Sequence, residues 1–298
     1  MNNKSMPLLL PLFAFLCVAS MGLKSVKSGT PYEEEVKEWH RSRIENLKKE
    51  DGWLNLAGLY WLEEGKNTFG AAKTNAIVFP KGKSEESLGT FTLDKGEVFL
   101  ETTPEKAIFN GNEPVTNLKI FPSEENIILK HQSLRWFIIK RGNKYGVRLR
   151  DLDSPFLKEF TGIETFPIDA NWKIKAKFVQ EENKKIAVLD VLGQTTLQDS
   201  PGKVVFSIHG KQYSLDALND TAGLFIIFAD KTNKKQTYGA GRFLYTDKPD
   251  ANGIVYLDFN KAINPPCAFT PYATCPLPPK QNVLPVTVYA GEKNYGHH

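Results

Sequence analysis

The chain has 298 residues, 41% of them hydrophobic and 24% charged, with a formal net charge of +4. That balance suits a globular protein with a sizeable buried core and excludes a disordered, charge-dominated chain. The basic residues are dispersed, and the densest cluster, KTNKK at residues 231–235, reads as a hairpin tip. No stripe for a nucleic acid is present, and no nucleic-acid partner is expected.

The amino terminus differs from the rest. MNNKSM gives a short positive start, LLLPLFAFLCV an apolar core of eleven residues, and ASMG a small-residue exit. This is the pattern of a secretory signal peptide, because the apolar run is too short to cross a bilayer core of about 30 Å. The expectation is a leader over residues 1–22, cleaved near Ser20 or Gly22, and export to the periplasm or beyond. Cys17 is a poor lipid acceptor, since Ala14-Phe15-Leu16 lacks the small residue normally next to such a cysteine. No later segment reaches eighteen apolar residues, so no membrane span is expected. Cleavage leaves two cysteines, Cys267 and Cys275, which in an oxidising compartment are most simply a disulfide.

A helix is predicted over residues 30–52. Ser28 or Thr30 supplies a cap, Pro31 suits the first turn, and Glu33, Glu34 and Glu35 favour the positive end of the dipole. Val36, Trp39, Arg43, Ile44 and Leu47 recur at helical spacing, and Asp51-Gly52 ends the pattern. The next stretch, WLNLAGLYWLEEGKNTFG, reads as a buried connector beneath a sheet.

From Ala76 onward the text is β. About fifteen short runs, from AIVF and GTFTL to IVYLDF and VLPVTVYAG, are separated by Gly, Asn, Asp and Lys turns. The predicted fold is all-β, a sandwich or distorted barrel with one N-terminal amphipathic helix. Residues 53–160 form an N-terminal β layer and residues 161–298 a C-terminal one, as two lobes or one continuous domain. The stretch between Asp151 and Trp172, with little alternation, reads as the crossover.

Residues 264–280, NPPCAFTPYATCPLPPK, hold six prolines and two cysteines. Each proline removes a backbone donor and drives its predecessor toward extended conformations, so the segment is neither helix nor central strand. A loop this stiff either seals the end of a sheet or holds neighbouring polar groups in place for a site.

The stretches DGWLNLAGLYWLEEGKNTFG, GVRLRD, GRFLY, VYLDFNKAINPPCAFTPYATCPLPP and QNVLPVTVYAGEK together resemble an uncharacterised bacterial and archaeal family, domain of unknown function 1684. The likeness runs from about Trp39 to Lys293. It implies that Tyr238, Arg242, Asp258, Asn260, Asn264, Cys267, Cys275 and Glu292 occupy positions of the family's pattern. Ile263 departs from it, where an aromatic is more usual. The resemblance implies no activity.

These residues suggest chemistry of their own. Arg242 and Asp258 sit on consecutive predicted strands and are expected to pair across the hairpin that TDKPDANG closes. Arg148 and Asp151 form a second candidate pair. Glu292 follows the last strand, where the NPPC loop can fold over it. An arginine with two carboxylates and amides suits a small polar or anionic ligand, or a general acid and base. Asp258 and Glu292 are the catalytic candidates, and Tyr238, Arg242, Asn260 and Asn264 the ligand-binding ones. The other reading is a non-enzymatic envelope module, with these groups forming a structural salt-bridge network. No GxSxG elbow occurs, and a bridged Cys267 is no nucleophile for His131 or His209. His40, His131, His209, His297 and His298 lack ligand spacing, so neither metal nor cofactor is expected.

Overall fold

The computed structural model describes Met1 and residues 29–296. The leader, Cys17, Ser28 and the terminal histidines lie outside the described residues. The predicted helix is present as α1, Pro31–Lys48. Thr30 caps it: its hydroxyl accepts from Glu33 N at 3.2 Å while the Glu33 carboxylate accepts from Thr30 N at 2.9 Å. This reciprocal box satisfies two otherwise orphaned donors.

The strands of the N-terminal half are β1 Leu56–Trp61, β2 Gly65–Gly70, β3 Ile77–Val78, β4 Gly89–Asp94, β5 Glu97–Glu101, β6 Phe109–Asn110, β7 Glu113–Pro114, β8 Asn117–Phe121, β9 Leu129–His131, β10 Leu134–Arg141 and β11 Lys144–Asp151. They form two sheets, in the orders β1-β11-β10-β9-β6-β7 and β3-β2-β4-β5-β8. Between the sheets lies a core of Phe69, Phe79, Phe91, Trp136, Val147 and Leu149. The stretch expected as a connector is therefore largely strand. Leu56 pairs with Arg150 and Trp61 with Gly146, so β1 completes the first sheet's edge.

Alternation makes the outer face of this sheet informative. On β11, Val147 and Leu149 enter the core, which turns Arg148 and Arg150 to the other side. On β10, Trp136 and Ile138 point inward, leaving Phe137, Ile139 and Arg141 on the same outer face as Arg148. The same parity separates Arg148 from Asp151, three residues apart on one strand. The expected pair does not form: Asp151 instead meets Lys83 at 3.0 Å and accepts from Ser133 Oγ at 2.7 Å.

A crossover follows, with a short helix α2 at Pro155–Glu159. The C-terminal half comprises β12 Lys173–Gln180, β13 Lys185–Leu189, β14 Thr195–Asp199, β15 Gly202–Ile208, β16 Lys211–Asn219, β17 Gly223–Phe228, β18 Arg242–Asp247 and β19 Ile254–Asp258. Six of these form one sheet ordered β18-β17-β16-β15-β12-β19, nearly closed like a barrel around Ile226, Phe228, Leu244, Leu257, Phe259 and Val288. β13 and β14 pair with each other as a separate two-stranded hairpin. Among the described residues, no helix is long and apolar enough to cross a membrane.

Candidate functional site

The C-terminal signature begins where β19 ends, and α1 lies along it. Tyr32 OH donates to Asp258 Oδ1 at 2.7 Å, and Lys261 Nζ meets Glu35 at 2.6 Å. One turn on, His40 Nε2 donates to the Asn260 carbonyl at 2.9 Å. Another turn on, Arg43 Nε donates to Glu292 Oε1 at 3.2 Å and its Nη2 to the Asn264 carbonyl at 3.1 Å. These residues recur at helical spacing, so one stripe of α1 is a polar seam as much as an apolar one. The sequence pattern caught Arg43 as part of the stripe but gave no sign of what it meets.

The candidate residues divide into those that tie the segment down and those that face open space. Arg242 is fully buried. Its Nη2 donates to the Val288 carbonyl at 3.1 Å and its Nη1 to the Ala290 carbonyl, and its guanidinium lies 5.2 Å from the centre of the Phe228 ring. Its carboxylate partner is Asp230, at 3.5 Å, not Asp258. The expected cross-hairpin pair fails because β18 pairs with β17 and β19 with β12. Arg242 shares Leu244's side of the sheet and faces the core; Asp258 shares the side of Tyr256 and faces α1. Burial lowers the Arg242 pKa to about 10, with Asp230 and then Glu292 acting against that shift.

Asp258 accepts from Tyr32 and from Asn260 N, the latter at 3.2 Å. Burial, then the bond to Asp258, push the Tyr32 phenol far above its ordinary range. Asn260 donates to the Asp169 carbonyl at 2.9 Å and accepts from Asp169 N at 3.1 Å, so its amide locks the crossover to the signature. Burial pulls the His40 imidazole below its usual value, which leaves it neutral beside Arg43. Tyr238 packs with Leu47, Leu54, Phe160 and Phe269 in a cluster joining α1 to the loop.

Glu292 is fully buried, yet it takes Arg43 on one oxygen and the Asn264 amide, at 2.6 Å, on the other. Burial raises its carboxyl pKa, opposed by Arg43 and by the Asn264 N–H. Gly291 makes that reach possible. It holds φ +78°, and a Cβ there would stand 2.5 Å from the Ala262 carbonyl, so only glycine fits.

Asn264, itself fully buried, is the candidate that borders open space. Its Nδ2 donates to the Lys293 carbonyl at 2.7 Å, while Oδ1 has no partner. It lines a cavity of about 430 Å³ between the outer face of the first sheet and the outward face of β17 and β18. Arg43, Arg141 and Arg148 contribute cations; Trp53, Phe225, Phe243, Tyr245 and Ile263 contribute apolar wall. Pro266 and residues 273–276 of the proline loop form the remaining side. Among the described residues, no carboxylate lines it.

Arg148 is the outlier. It is 95% buried by residue area, with 5% left exposed, and neither Nε nor Nη2 has a hydrogen-bond partner. Burial, followed by Arg141 and Arg150, lowers its pKa to about 10, so it stays cationic at neutral pH. A buried cation without a partner is costly and calls for an explanation. Arg141 is exposed, its Nη1 donating to the Lys140 carbonyl at 3.0 Å and its Nε 3.5 Å from Thr274 Oγ1. The sequence flagged Arg148 for the wrong partner and did not flag Arg141. The usable signal was two arginines, Arg148 and Arg150, on the face opposite two core residues of one strand.

Cys267 and Cys275 stand at disulfide distance, with Cα atoms 6.1 Å apart, inside the usual span of about 4.4–6.8 Å. The loop thus turns back on itself and presents Cys275 and Pro276 to the cavity. Among the described residues, no three His, Cys, Asp or Glu side chains gather as a metal site requires.

A family model described as "Protein of unknown function (DUF1684)" matches residues 158–293. The match is shorter than the likeness read from the sequence: it takes in the crossover, the barrel-like sheet and the signature but not β1–β11. Among solved structures, an uncharacterized protein of Haloarcula marismortui, determined in solution, is 31% identical. The likeness covers 46% of this chain and 78% of that one, with a TM-score of 0.38. No curated protein matches the chain.

Proposed function

The chain belongs, through residues 158–293, to the DUF1684 family of proteins of unknown function, and from that premise we propose that it is an exported protein that binds a small amphipathic anion beneath the signature loop. One observation carries the reading: Arg148, its Nε and Nη2 buried and without partners, stands in the wall of a cavity that no acid lines among the described residues. An entering carboxylate or phosphate supplies the missing charge, and the interaction gains strength from the low local dielectric. Arg141 at the rim draws the anion in, while Phe225, Phe243 and Tyr245 take up an apolar body. Export rests on the apolar leader and on the close cysteine pair.

In this reading Asp258 and Glu292 hold the site and do not react in it, since each is buried against donors from α1 and the signature backbone. The same observation favours the second reading, a non-enzymatic module whose signature is a clamp. The two readings part over the cavity. Thermal-shift measurements with acetate, benzoate, octanoate and inorganic phosphate separate them. A bound anion at a hundred times its Kd stabilises by about 2.7 kcal/mol, an easily visible shift. If none of the four moves the transition, the clamp reading stands and the binding reading is lost.

A further inference from the structure

Next to the cavity mouth stands a hairpin whose outward face is apolar. β13 buries Ile186 and Val188, so Ala187 and Leu189 point away, and register places Leu197 opposite Ala187 on that outer side. Leu189 is 43% exposed, Val191 40%, Leu192 45% and Leu197 69%. Isolated exposed leucines are ordinary, but four large apolar side chains on one projecting hairpin mark a contact surface. The hairpin is fixed in place, because Val191 N donates to the Cys275 carbonyl and Leu277 N to the Leu189 carbonyl, at 3.0 and 2.7 Å.

Its tip meets the β10–β11 turn, where Gln194 Oε1 lies 3.9 Å from the position of a Cβ on Gly142. That turn carries Lys140, Arg141 and Lys144, all exposed. Two acids stand on the hairpin: Asp190, whose carboxylate keeps its charge while accepting from Leu192 N and Gln194 N, both at 2.9 Å, and Asp199, paired with Lys185 at 3.0 Å. The surface is thus an apolar knob beside a turn whose three cations outnumber Asp190 and make no ion pair among the described residues.

We propose that the β13–β14 hairpin and the β10–β11 turn seat the protein on an anionic lipid surface. The leucines and Val191 enter the boundary between headgroups and acyl chains, and Lys140, Arg141 and Lys144 meet the lipid phosphates. Apolar insertion combined with juxtaposed cations is the physical basis of reversible interfacial binding, and neither alone suffices. A second protein would match the apolar knob equally well, but the adjacent cations favour a surface of uniform negative charge. Arg141 also lines the cavity, whereas the knob and the two lysines are not among its lining residues.

The test is vesicle co-sedimentation of the full chain with phosphatidylcholine alone and with an equimolar phosphatidylcholine–phosphatidylglycerol mixture. All variants keep residues 1–28, so the comparison isolates the hairpin and turn. The wild type should bind the anionic vesicles and release as salt rises. Leu192→Asp with Leu197→Asp, and separately Lys140→Glu with Lys144→Glu, should each weaken binding by at least about tenfold, with circular dichroism unchanged. Solvent-exposed substitutions of this kind leave the fold intact. Binding unaffected by both double variants overturns the proposal, as does a wild type that stays in the supernatant with both vesicles. So does light scattering that finds a dimer which Leu192→Asp with Leu197→Asp makes monomeric, because a second copy then covers the knob.

Discussion

Arg242→Leu removes the cation that holds the end of the chain against the barrel. In the native protein Arg242 and Asp230 are both wholly buried and 3.5 Å apart, and Arg242 also donates to the Val288 and Ala290 carbonyls. Leucine keeps an apolar contact with Phe228 but leaves the Asp230 carboxylate in the core without its cation. Its remaining donors are neutral: Val288 N at 2.5 Å and Thr232 Oγ1 at 2.6 Å. Breaking one side of such a pair costs about 3–5 kcal/mol, mostly from the stranded charge. Adding Asp230→Asn discharges that group while keeping an acceptor for Val288 N, so the double variant should recover part of the loss. Urea unfolding of wild type, single and double variants reads this directly, provided the slopes agree. A single variant that loses less than about 1 kcal/mol would refute the reasoning. So would a double variant that is no more stable than the single, since the stranded charge is then not the dominant cost.

Three further outcomes follow from the site. Cys267 and Cys275 should resist alkylation until reduced, and replacing both by Ala should cost about 2–3 kcal/mol for a nine-residue loop; full alkylation without reductant rules the bridge out. Burial raises the Glu292 carboxyl above its ordinary 4.5, so its folded form favours the proton: the contribution is fully present below the unfolded pKa and lost as pH rises through the folded one. Wild type should therefore lose stability relative to Glu292→Gln as pH climbs from 4.5 toward neutrality, as read by urea midpoints. A gap that is flat, or that grows the other way, contradicts this. Arg148→Met should stabilise the ligand-free protein by about 1–4 kcal/mol, because it removes an unpaired buried charge and keeps most of the volume. A destabilised Arg148→Met, read by the same midpoints, would mean that the guanidinium has a partner in the free protein.

Much of the architecture was legible because it rests on local rules. The helix announced itself through Thr30, Pro31 and the acidic first turn, and the β character through alternating runs divided by turn residues. The connector beneath the sheet was misjudged because WLNLAGLYW is apolar throughout, and a continuous apolar run does not distinguish a buried linker from a buried strand. The ion pairs were misassigned for a different reason. Proximity in sequence suggested Arg148 with Asp151 and Arg242 with Asp258, but strand parity puts each pair on opposite faces. Their actual surroundings are set by long-range closure: Asp230 reaches Arg242 through the register of β17 with β18. The cavity was invisible for the same reason. Arg141 and Arg148 come from the first sheet, Arg43 from the helix and Asn264 from the signature, and only the fold brings them to one wall.

The proposed anion site is tested most directly by isothermal titration of wild type and Arg148→Met with paired ligands of equal shape, octanoate against octanamide and benzoate against benzamide. Wild type should bind at least one of the acids, bind its amide at least about tenfold more weakly, and lose that preference in Arg148→Met, since a charge-assisted contact contributes about 1.5–3 kcal/mol. Acid and amide binding equally to wild type, or an acid binding Arg148→Met as tightly as wild type, would contradict the assignment of Arg148 as the anion's partner.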